Sequence, residues 1–364
     1  MINVACPIIG WKENQLIKEV LDSGILASGK YVEQFEQSFA RYSGVKFGIA
    51  NVNGTASLHV ALLMSGIKPG DKVITTPFSF IATSNSILFC GAKPVFVDID
   101  PKTFNISSIG IERALEKYKN IKAVLIVHLY GLPCDMEAII ALKEKYKFVL
   151  IEDSCQAHGA EFKNKKVGSF GDAAAFSFYA TKNMMTGEGG VILTNDEEAD
   201  KYGRQLINHG RYGHSLHTIL GYNYRLTNIA AAIGIAQLEQ LENWITKRII
   251  NARKYNEAFK SLDFLKIPYI PKNCRHVFHQ YTIRVSSIER NKFIKYLADN
   301  GVNSGIYYDN VLYKQPLYKR RGYGSVICEE AEKAAEEVLS LPVHPSLSEN
   351  DVDKIIEVVS GYRK

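Results

Sequence analysis

A mostly parallel α/β sheet covered by helices, followed by a smaller α+β domain, is predicted by three features of the chain. From about residue 45 to 195 short apolar runs alternate with helical patterns; an unbroken helical pattern then covers 227–262; strand and helix patterns mix after it. Alternation of the first kind is the mark of a parallel sheet, because each parallel pairing needs a crossover to carry the chain back. The runs at 73–76, 94–98, 123–127 and 148–151 read as its buried strands. Between the last two, 136–146 carries Ile139, Ile140 and Leu142 on one apolar stripe and reads as a helix. Another is expected at 56–64.

The 227–262 pattern repeats apolar residues at Ile229, Ile233, Ile235, Leu238, Leu241 and Ile245 without a proline. It reads as one long helix, or two in close succession, joining a large domain (1–245) to a small one (246–364). Beyond Pro268 and Pro271 a strand is expected at 277–285, then helices at 291–300, 329–339 and 349–360. No internal repeat or low-complexity tract is visible.

Composition excludes several classes. With 364 residues, 46% hydrophobic and 23% charged, the chain can bury a large core and has ordinary globular composition. No apolar stretch is long enough to span a bilayer, and the start, Met1-Ile2-Asn3-Val4-Ala5-Cys6-Pro7, lacks the basic and apolar segments of a secretory signal. The cysteines at 6, 90, 134, 155, 274 and 328 form no close pair, which fits reduced cytoplasmic thiols better than disulfides or a zinc site. The net charge of +6 is modest and spread along the chain; Lys163-Asn164-Lys165-Lys166 and Lys319-Arg320-Arg321 read as solvated loops, and no nucleic-acid module is present. His276 and His279, three apart on an expected strand, would point to opposite faces, so no metal site is expected. No G-x-G-x-x-G opens a strand–turn–helix unit, which removes the main support for a nicotinamide dehydrogenase.

The chemistry concentrates at two strand ends. Asp153 closes the apolar run 148–152, and Lys182 lies in Phe176-Ser177-Phe178-Tyr179-Ala180-Thr181-Lys182-Asn183, just before Gly187-Glu188-Gly189-Gly190. Singly, each reads as an ordinary surface lysine or helix cap. Together they are what pyridoxal phosphate needs: an amine to bond to its aldehyde and a carboxylate to keep its ring nitrogen protonated. Asn53-Gly54-Thr55 before the 56–64 helix offers backbone donors for a phosphate, with Gly54 permitting close approach and Thr55 able to cap; taken alone the segment reads first as a plain helix cap. Phe80 reads as a stacking ring or a core phenylalanine, His158 as a structural histidine, and Asn223 and Arg225 as turn and helix-start residues.

These segments, with Gly29-Lys30-Tyr31-Val32-Glu33-Gln34-Phe35-Glu36, Asn53-Gly54-Thr55-Ala56-Ser57-Leu58-His59, Glu152-Asp153-Ser154-Cys155-Gln156-Ala157-His158-Gly159-Ala160, Gly221-Tyr222-Asn223-Tyr224-Arg225-Leu226-Thr227 and Leu339-Ser340-Leu341-Pro342-Val343-His344-Pro345, occur in one order over nearly the whole chain. The chain resembles the DegT/DnrJ/EryC1/StrS sugar aminotransferases, fold-type I pyridoxal phosphate enzymes acting on keto sugars, usually nucleotide-linked. The resemblance implies that Lys182 and Asp153 are catalytic, that Gly54, Thr55 and Ser177 hold the cofactor phosphate, that Phe80 stacks on the ring and that Gln156 meets its phenolic edge. It implies a homodimer in which Asn223 reaches the partner's cofactor phosphate, and it turns Arg225 and Tyr308 toward substrate. It further implies glutamate as amino donor and a role in amino-sugar or surface-polysaccharide synthesis. Related sugar dehydratases carry histidine where this chain has Lys182, so lysine points to transamination. The chain departs from the family at Tyr307-Tyr308-Asp309-Asn310, a block in which relatives often carry a substrate-facing histidine. Gln156, in place of histidine, leans toward amination at the sugar C3 over C4. A cyclitol ketone as substrate, or a non-catalytic sensor on the same fold, are the competing readings; Lys182 together with Asp153 speaks against the sensor.

Overall fold

In the computed structural model, which describes residues 1–363, a seven-stranded sheet organises most of the chain. Its strands are β1 (Phe47–Asn51), β2 (Lys72–Thr75), β3 (Lys93–Phe96), β4 (Ile121–Val127), β5 (Val149–Asp153), β6 (Ala173–Ser177) and β7 (Gly190–Thr194), lying in the order β1-β7-β6-β5-β4-β2-β3. Strands β2 to β6 pair in parallel, whereas β7 is antiparallel to both its neighbours. The reason is local: the connection 178–189 contains no helix to carry the chain back across the sheet.

Both faces are covered, as the alternation of apolar runs predicts. Val73, Leu125, Ile151 and Ala175 pack with α3 (Gly54–Met64), α4 (Ala82–Phe89) and α7 (Glu197–Leu206). The intervening residues face the other way. Ile74, Val124 and Leu150 meet α5 (Ser108–Lys117) and α6 (Met136–Tyr146), and Ala174, Phe176 and Val191 meet α2 (Lys30–Ser43). Helix α1 (Trp11–Ser23) packs outside, against α8. That helix, α8 (Asn228–Phe259), is a single element of 32 residues whose first turn is capped by the Thr227 hydroxyl accepting from Ala230 N–H at 3.2 Å.

Two cores meet along α8, and the boundary expected near 245 falls within it. Leu241 and Ile245 belong to the core of the large sheet; Ala252, Tyr255 and Phe259 belong to a second one. The second core sits on a three-stranded antiparallel sheet, β8 (Leu265–Lys266), β9 (Tyr281–Val285) and β10 (Val338–Leu341), with helices α9 (Ser287–Asp299), α10 (Glu329–Glu337) and α11 (Glu349–Gly361). No helix among the described residues is long and apolar enough to cross a membrane.

Three expected elements are trimmed or extended by tertiary contacts. The strand expected from 277 starts at Tyr281, because Val277 N–H and Gln280 N–H donate to Gly131 and Tyr130 carbonyls (3.0 and 3.2 Å) and Phe278 sits at φ 47°, outside strand geometry. The metal argument built on alternating strand faces therefore has no basis, since His276 and His279 lie in this loop. Helix α10 ends at Glu337, not 339, because Val338 pairs with Arg284 as the start of β10. Helix α9 begins at Ser287, four residues before the expected start.

At the end of β5, Glu152 is fully buried and points away from Asp153, its neighbour on the strand. Its Oε2 accepts from His128 Nε2 (2.9 Å) and Gly168 N–H (2.7 Å), and its Oε1 from Phe170 N–H (2.8 Å) and Gly171 N–H (2.7 Å). His128 Nδ1 accepts from Cys134 N–H at 3.0 Å, which leaves the donated proton on Nε2. Burial pushes the Glu152 carboxyl up, but these donors outweigh it and hold the group below its ordinary 4.5. A depressed carboxyl stabilises the fold above its unfolded value, and the contribution is lost as pH falls through the lower folded value. Glu152→Gln, which turns one acceptor into a donor facing N–H groups, is expected to destabilise the fold by about 3 kcal/mol. Thermal unfolding measured from pH 7 downward checks this. The native protein should lose stability below about pH 4.5, and the variant, lower at pH 7, should lack that component.

Candidate active site

The carboxyl ends of the parallel strands face one edge, where ligands of open α/β sheets bind, and a cavity of about 420 Å³ opens there. It gathers Gly54, Thr55, Phe80, Asp153, Gln156, Ser177, Lys182 and Tyr308. These come from the start of α3, the loop before α4, the ends of β5 and β6, the 178–189 connection and the segment after α9.

Asp153 is the last residue of β5 and is buried. Its Oδ2 accepts from the Thr83 hydroxyl at 2.7 Å and its Oδ1 from Cys155 N–H at 3.2 Å; Thr83 in turn shares a hydrogen bond with Ser79 (2.9 Å). The carboxylate is therefore fixed in rotation. Lys182 is half-buried across the same cavity, in a turn closed by its own N–H donating to Tyr179 O at 2.9 Å. Burial pushes its amine down, with Cys155 and the Asp153 charge opposing, so the uncharged amine is more populated than in a solvated lysine. Burial also raises the Cys155 thiol well above its usual range, which keeps it protonated.

At the start of α3 the cap is Asn53, not Thr55: Asn53 Oδ1 accepts from Ala56 N–H at 2.9 Å. The helix begins at Gly54, two residues earlier than the apolar pattern suggests, and Thr55 is inside it. A Cβ on Gly54 would come within 2.6 Å of the Ser177 Cβ. Only glycine lets this helix start lie against Ser177, where free N–H groups and a hydroxyl converge.

Gln156 is clamped. Its Oε1 accepts from Tyr130 N–H (2.9 Å), which orients its Nε2 to donate to Tyr308 Oη (3.1 Å). Burial, then the Asp153 charge, raises the Tyr308 phenol, with Gln156 opposing, so it stays protonated and able to donate. Phe80 is 55% exposed at the mouth and is no core residue; its ring stands 6.2 Å from that of Tyr308.

Asn223 and Arg225 are not in this cavity. The segment containing them forms isolated bridges before α8: Asn223 bridges Asn208, Arg225 bridges Asn51, and Arg225 Nη1 donates to Asn208 Oδ1 at 2.6 Å. His158 is buried among the rings of Phe39, Phe176 and Phe178, with burial pushing its imidazole down to about 3. Among the described residues no group of histidine, cysteine and carboxylate side chains could hold a metal.

Sequence reasoning missed Ser79, Thr83, Glu188, His279 and Gln280, which also line the cavity. Ser79 and Thr83 are four apart near a helix start, a pattern too common to single them out; only contact with Asp153 gives it meaning. The donor set fits pyridoxal phosphate. A fixed carboxylate, a depressed amine, an aromatic ring at the mouth and a helix start that tolerates only glycine match its ring nitrogen, aldehyde, ring face and phosphate. Thr83→Val should keep the fold but lower turnover about tenfold, from loss of one hydrogen bond to a charged group, with Thr83→Ser restoring most of it; steady-state kinetics on folded variants measures both.

Residues 7–360 match the DegT/DnrJ/EryC1/StrS aminotransferase family. The chain is 41% identical to a pleiotropic regulatory protein of Geobacillus stearothermophilus, over 96% of this chain and 93% of that one. It is 38% identical to a GDP-perosamine synthase of Caulobacter vibrioides, over 98% and 96%. Among solved structures, the PLP form of a Streptococcus pneumoniae protein assigned as a sugar aminotransferase superposes with a TM-score of 0.93 at 27% identity, covering 99% of this chain and 98% of that one.

Proposed function

Because the chain belongs to the DegT/DnrJ/EryC1/StrS aminotransferase family, whose enzymes work with pyridoxal phosphate, we propose that it moves an amino group from glutamate to the ketone of a nucleotide-linked sugar. The reading rests on one observation: Lys182, its amine depressed, and Asp153, its carboxylate fixed, line the same cavity. Bound there, the cofactor would supply an aldehyde that takes up amines and a ring that accepts electrons from the adjoining carbon. Asp153 would hold the proton on the ring nitrogen, with Thr83 keeping Oδ2 aimed. The first N–H groups of α3, at Gly54 and Thr55, and the Ser177 hydroxyl bind phosphate, helped by the helix dipole. Gln156 would present its amide to the phenolic oxygen, and Phe80 would cover one ring face. Lys182 Nζ would carry a proton between the substrate carbon and the cofactor, a task for which a lowered pKa suits an amine at neutral pH. Tyr308, which stays protonated, would donate a hydrogen bond from its hydroxyl to the sugar.

Asn223, outside the cavity of its own chain, serves that of a twofold-related partner and binds the cofactor phosphate there, with Arg225 toward the sugar. The cytoplasm is the compartment this chemistry suits, and the division between large and small domains lies within α8. The identity to a protein named for regulation favours, as a second reading, a sensor on this fold. Turnover with glutamate separates the two. A panel of nucleotide-linked keto sugars and keto-cyclitols, with product position assigned by NMR, tests substrate class and the C3 preference carried by Gln156.

Borohydride reduction of the native holoenzyme should fix the cofactor on the Lys182 peptide alone, as read by mass spectrometry. Lys182→Ala should fold and lose turnover; a label at another lysine refutes the assignment.

Asn223→Ala and Lys182→Ala homodimers should each be nearly inactive. Mixed at equal amounts with subunit exchange, they should regain about a quarter of native activity, since half the dimers are mixed and each carries one intact site. No recovery in verified mixed dimers refutes sharing through Asn223.

A further inference from the structure

We propose that Tyr130 is a positioning residue for the acceptor sugar: it pins the segment that carries Tyr308 to the loop after β4 and sets Tyr308 against Gln156. The proposal rests on the aminotransferase reading above and deepens it, because it names what aims the hydroxyl that grips the sugar.

Tyr130 lies three residues beyond β4, is buried, and sits at φ 58° and ψ 5°, in the left-handed region. A bulky side chain seldom adopts that conformation, whereas glycine or asparagine takes it at lower cost. Its ring packs edge-on against Phe104, with centroids 5.8 Å apart. A phenylalanine at an ordinary backbone angle would fill the same kind of space, so packing does not account for a tyrosine here. A residue held in a sparsely populated conformation by its surroundings points to a role in the neighbouring site.

Three polar groups of Tyr130 reach three segments of the cavity wall. Its N–H donates to Gln156 Oε1 at 2.9 Å, its carbonyl accepts from Gln280 N–H at 3.2 Å, and its hydroxyl donates to the carbonyl of Tyr307. Gln156, Gln280, Tyr307 and Tyr308 all line the cavity. Burial raises the Tyr130 phenol well above its usual range, so the hydroxyl keeps its proton and remains a donor. Gln156 Nε2 in turn donates to Tyr308 Oη at 3.1 Å. The result is a closed loop: Tyr130 N–H to Gln156, Gln156 to Tyr308, and the Tyr307 carbonyl back to the Tyr130 hydroxyl. Because Tyr308 Oη accepts from Gln156, its own proton is left for the cavity.

The loop joins parts of the chain that are otherwise independent. Tyr130 and Gln156 follow β4 and β5, whereas Tyr307 and Tyr308 follow α9. The adjoining Gly131 has φ 94°, and a Cβ there would lie 2.8 Å from Val277 Cγ2 and 3.0 Å from the His279 nitrogen, so the 277–280 loop seats directly on this turn. The proton-handling groups are held elsewhere. Thr83 fixes Asp153, and Lys182 sits in the turn closed on Tyr179. Among the described residues no hydrogen bond of Tyr130 reaches Asp153, Thr83 or Lys182. Loss of the Tyr130 hydroxyl therefore frees the Tyr308 segment and leaves the chemistry with the amino donor in place.

Two measurements on the holoenzyme separate these effects. Rapid-mixing absorbance with glutamate reads the donor half-reaction, and steady-state rates at varied keto-sugar nucleotide read the acceptor side. Tyr130→Phe, isosteric apart from one oxygen, should keep the donor rate within about twofold of native and raise the KM for the sugar nucleotide about tenfold, with native cofactor content. Tyr308→Phe should raise the same KM. The double variant Tyr130→Phe/Tyr308→Phe should be no worse than Tyr308→Phe alone, since Tyr130 acts through Tyr308. An unchanged KM in Tyr130→Phe overturns the proposal, as do additive effects in the double variant. A donor half-reaction slowed as much as the acceptor side also overturns it, by making Tyr130 a general support of the fold. A native protein that moves no amino group removes the aminotransferase reading and this proposal with it; native turnover with unaltered variants removes the proposal alone.

Discussion

The buried carboxylate of Glu152 ties the end of β5 to everything that surrounds the site. Four donors converge on it, from the His128 ring and from the backbone of Gly168, Phe170 and Gly171. An isolated carboxylate so deep would be neutralised by desolvation. Here the donors reverse that tendency, and the anion becomes a four-way clamp joining the loop after β4, the end of β5 and the loop leading into β6. Because side chains alternate along a strand, the clamp on one face sets the direction of Asp153 on the other. The residue expected to meet the cofactor is thus held by a neighbour that never touches the cavity.

The same economy runs through the rest of the site. Thr83 fixes one oxygen of Asp153, and Tyr130 N–H fixes the amide of Gln156 so that its donor end must face Tyr308. Gly54 and Ser177 approach more closely than any Cβ would permit. The 178–189 connection, lacking a helix, forces β7 antiparallel and in doing so leaves Lys182 on a short turn at the cavity's side. Asp153 and Gln156 are each held by a short-range contact to an element far away in sequence, which is the preorganisation that chemistry at a defined atom requires.

Electrostatics divides the labour differently. The cavity holds two carboxylates, Asp153 and Glu188, and a lysine whose amine burial biases toward neutrality, which suits a base. Cationic side chains gather instead around the 211–217 hairpin, beside apolar residues left in water. Lys182 and Asp153 thus share one cavity with the helix start at Gly54, while Arg211 and Arg225 of the same chain lie outside it.

By itself the sequence determined the periodic elements and the chemistry-bearing residue types. The run at 136–146 became α6 within the same bounds, the 227–262 pattern became one helix, and the strand ends at Asp153 and Ser177 came to border one cavity with Lys182. These were legible because apolar periodicity reflects local burial, and because ordered motifs record residue types that a cofactor's chemistry demands. Tertiary structure decided what depends on contacts between distant segments. It shortened the 277–285 strand by stitching Val277 and Gln280 to the loop after β4, and it ended α10 where β9 offered Val338 a partner. It made Asn53, not Thr55, the helix cap, turned Phe80 outward, and bridged Asn223 to Asn208 and Arg225 to Asn51, outside the cavity. Thr83 and Glu152 acquired their importance only there. Hydrogen-bond partners remote in sequence leave no periodic trace, so the clamps that aim the site are visible only once the chain has folded.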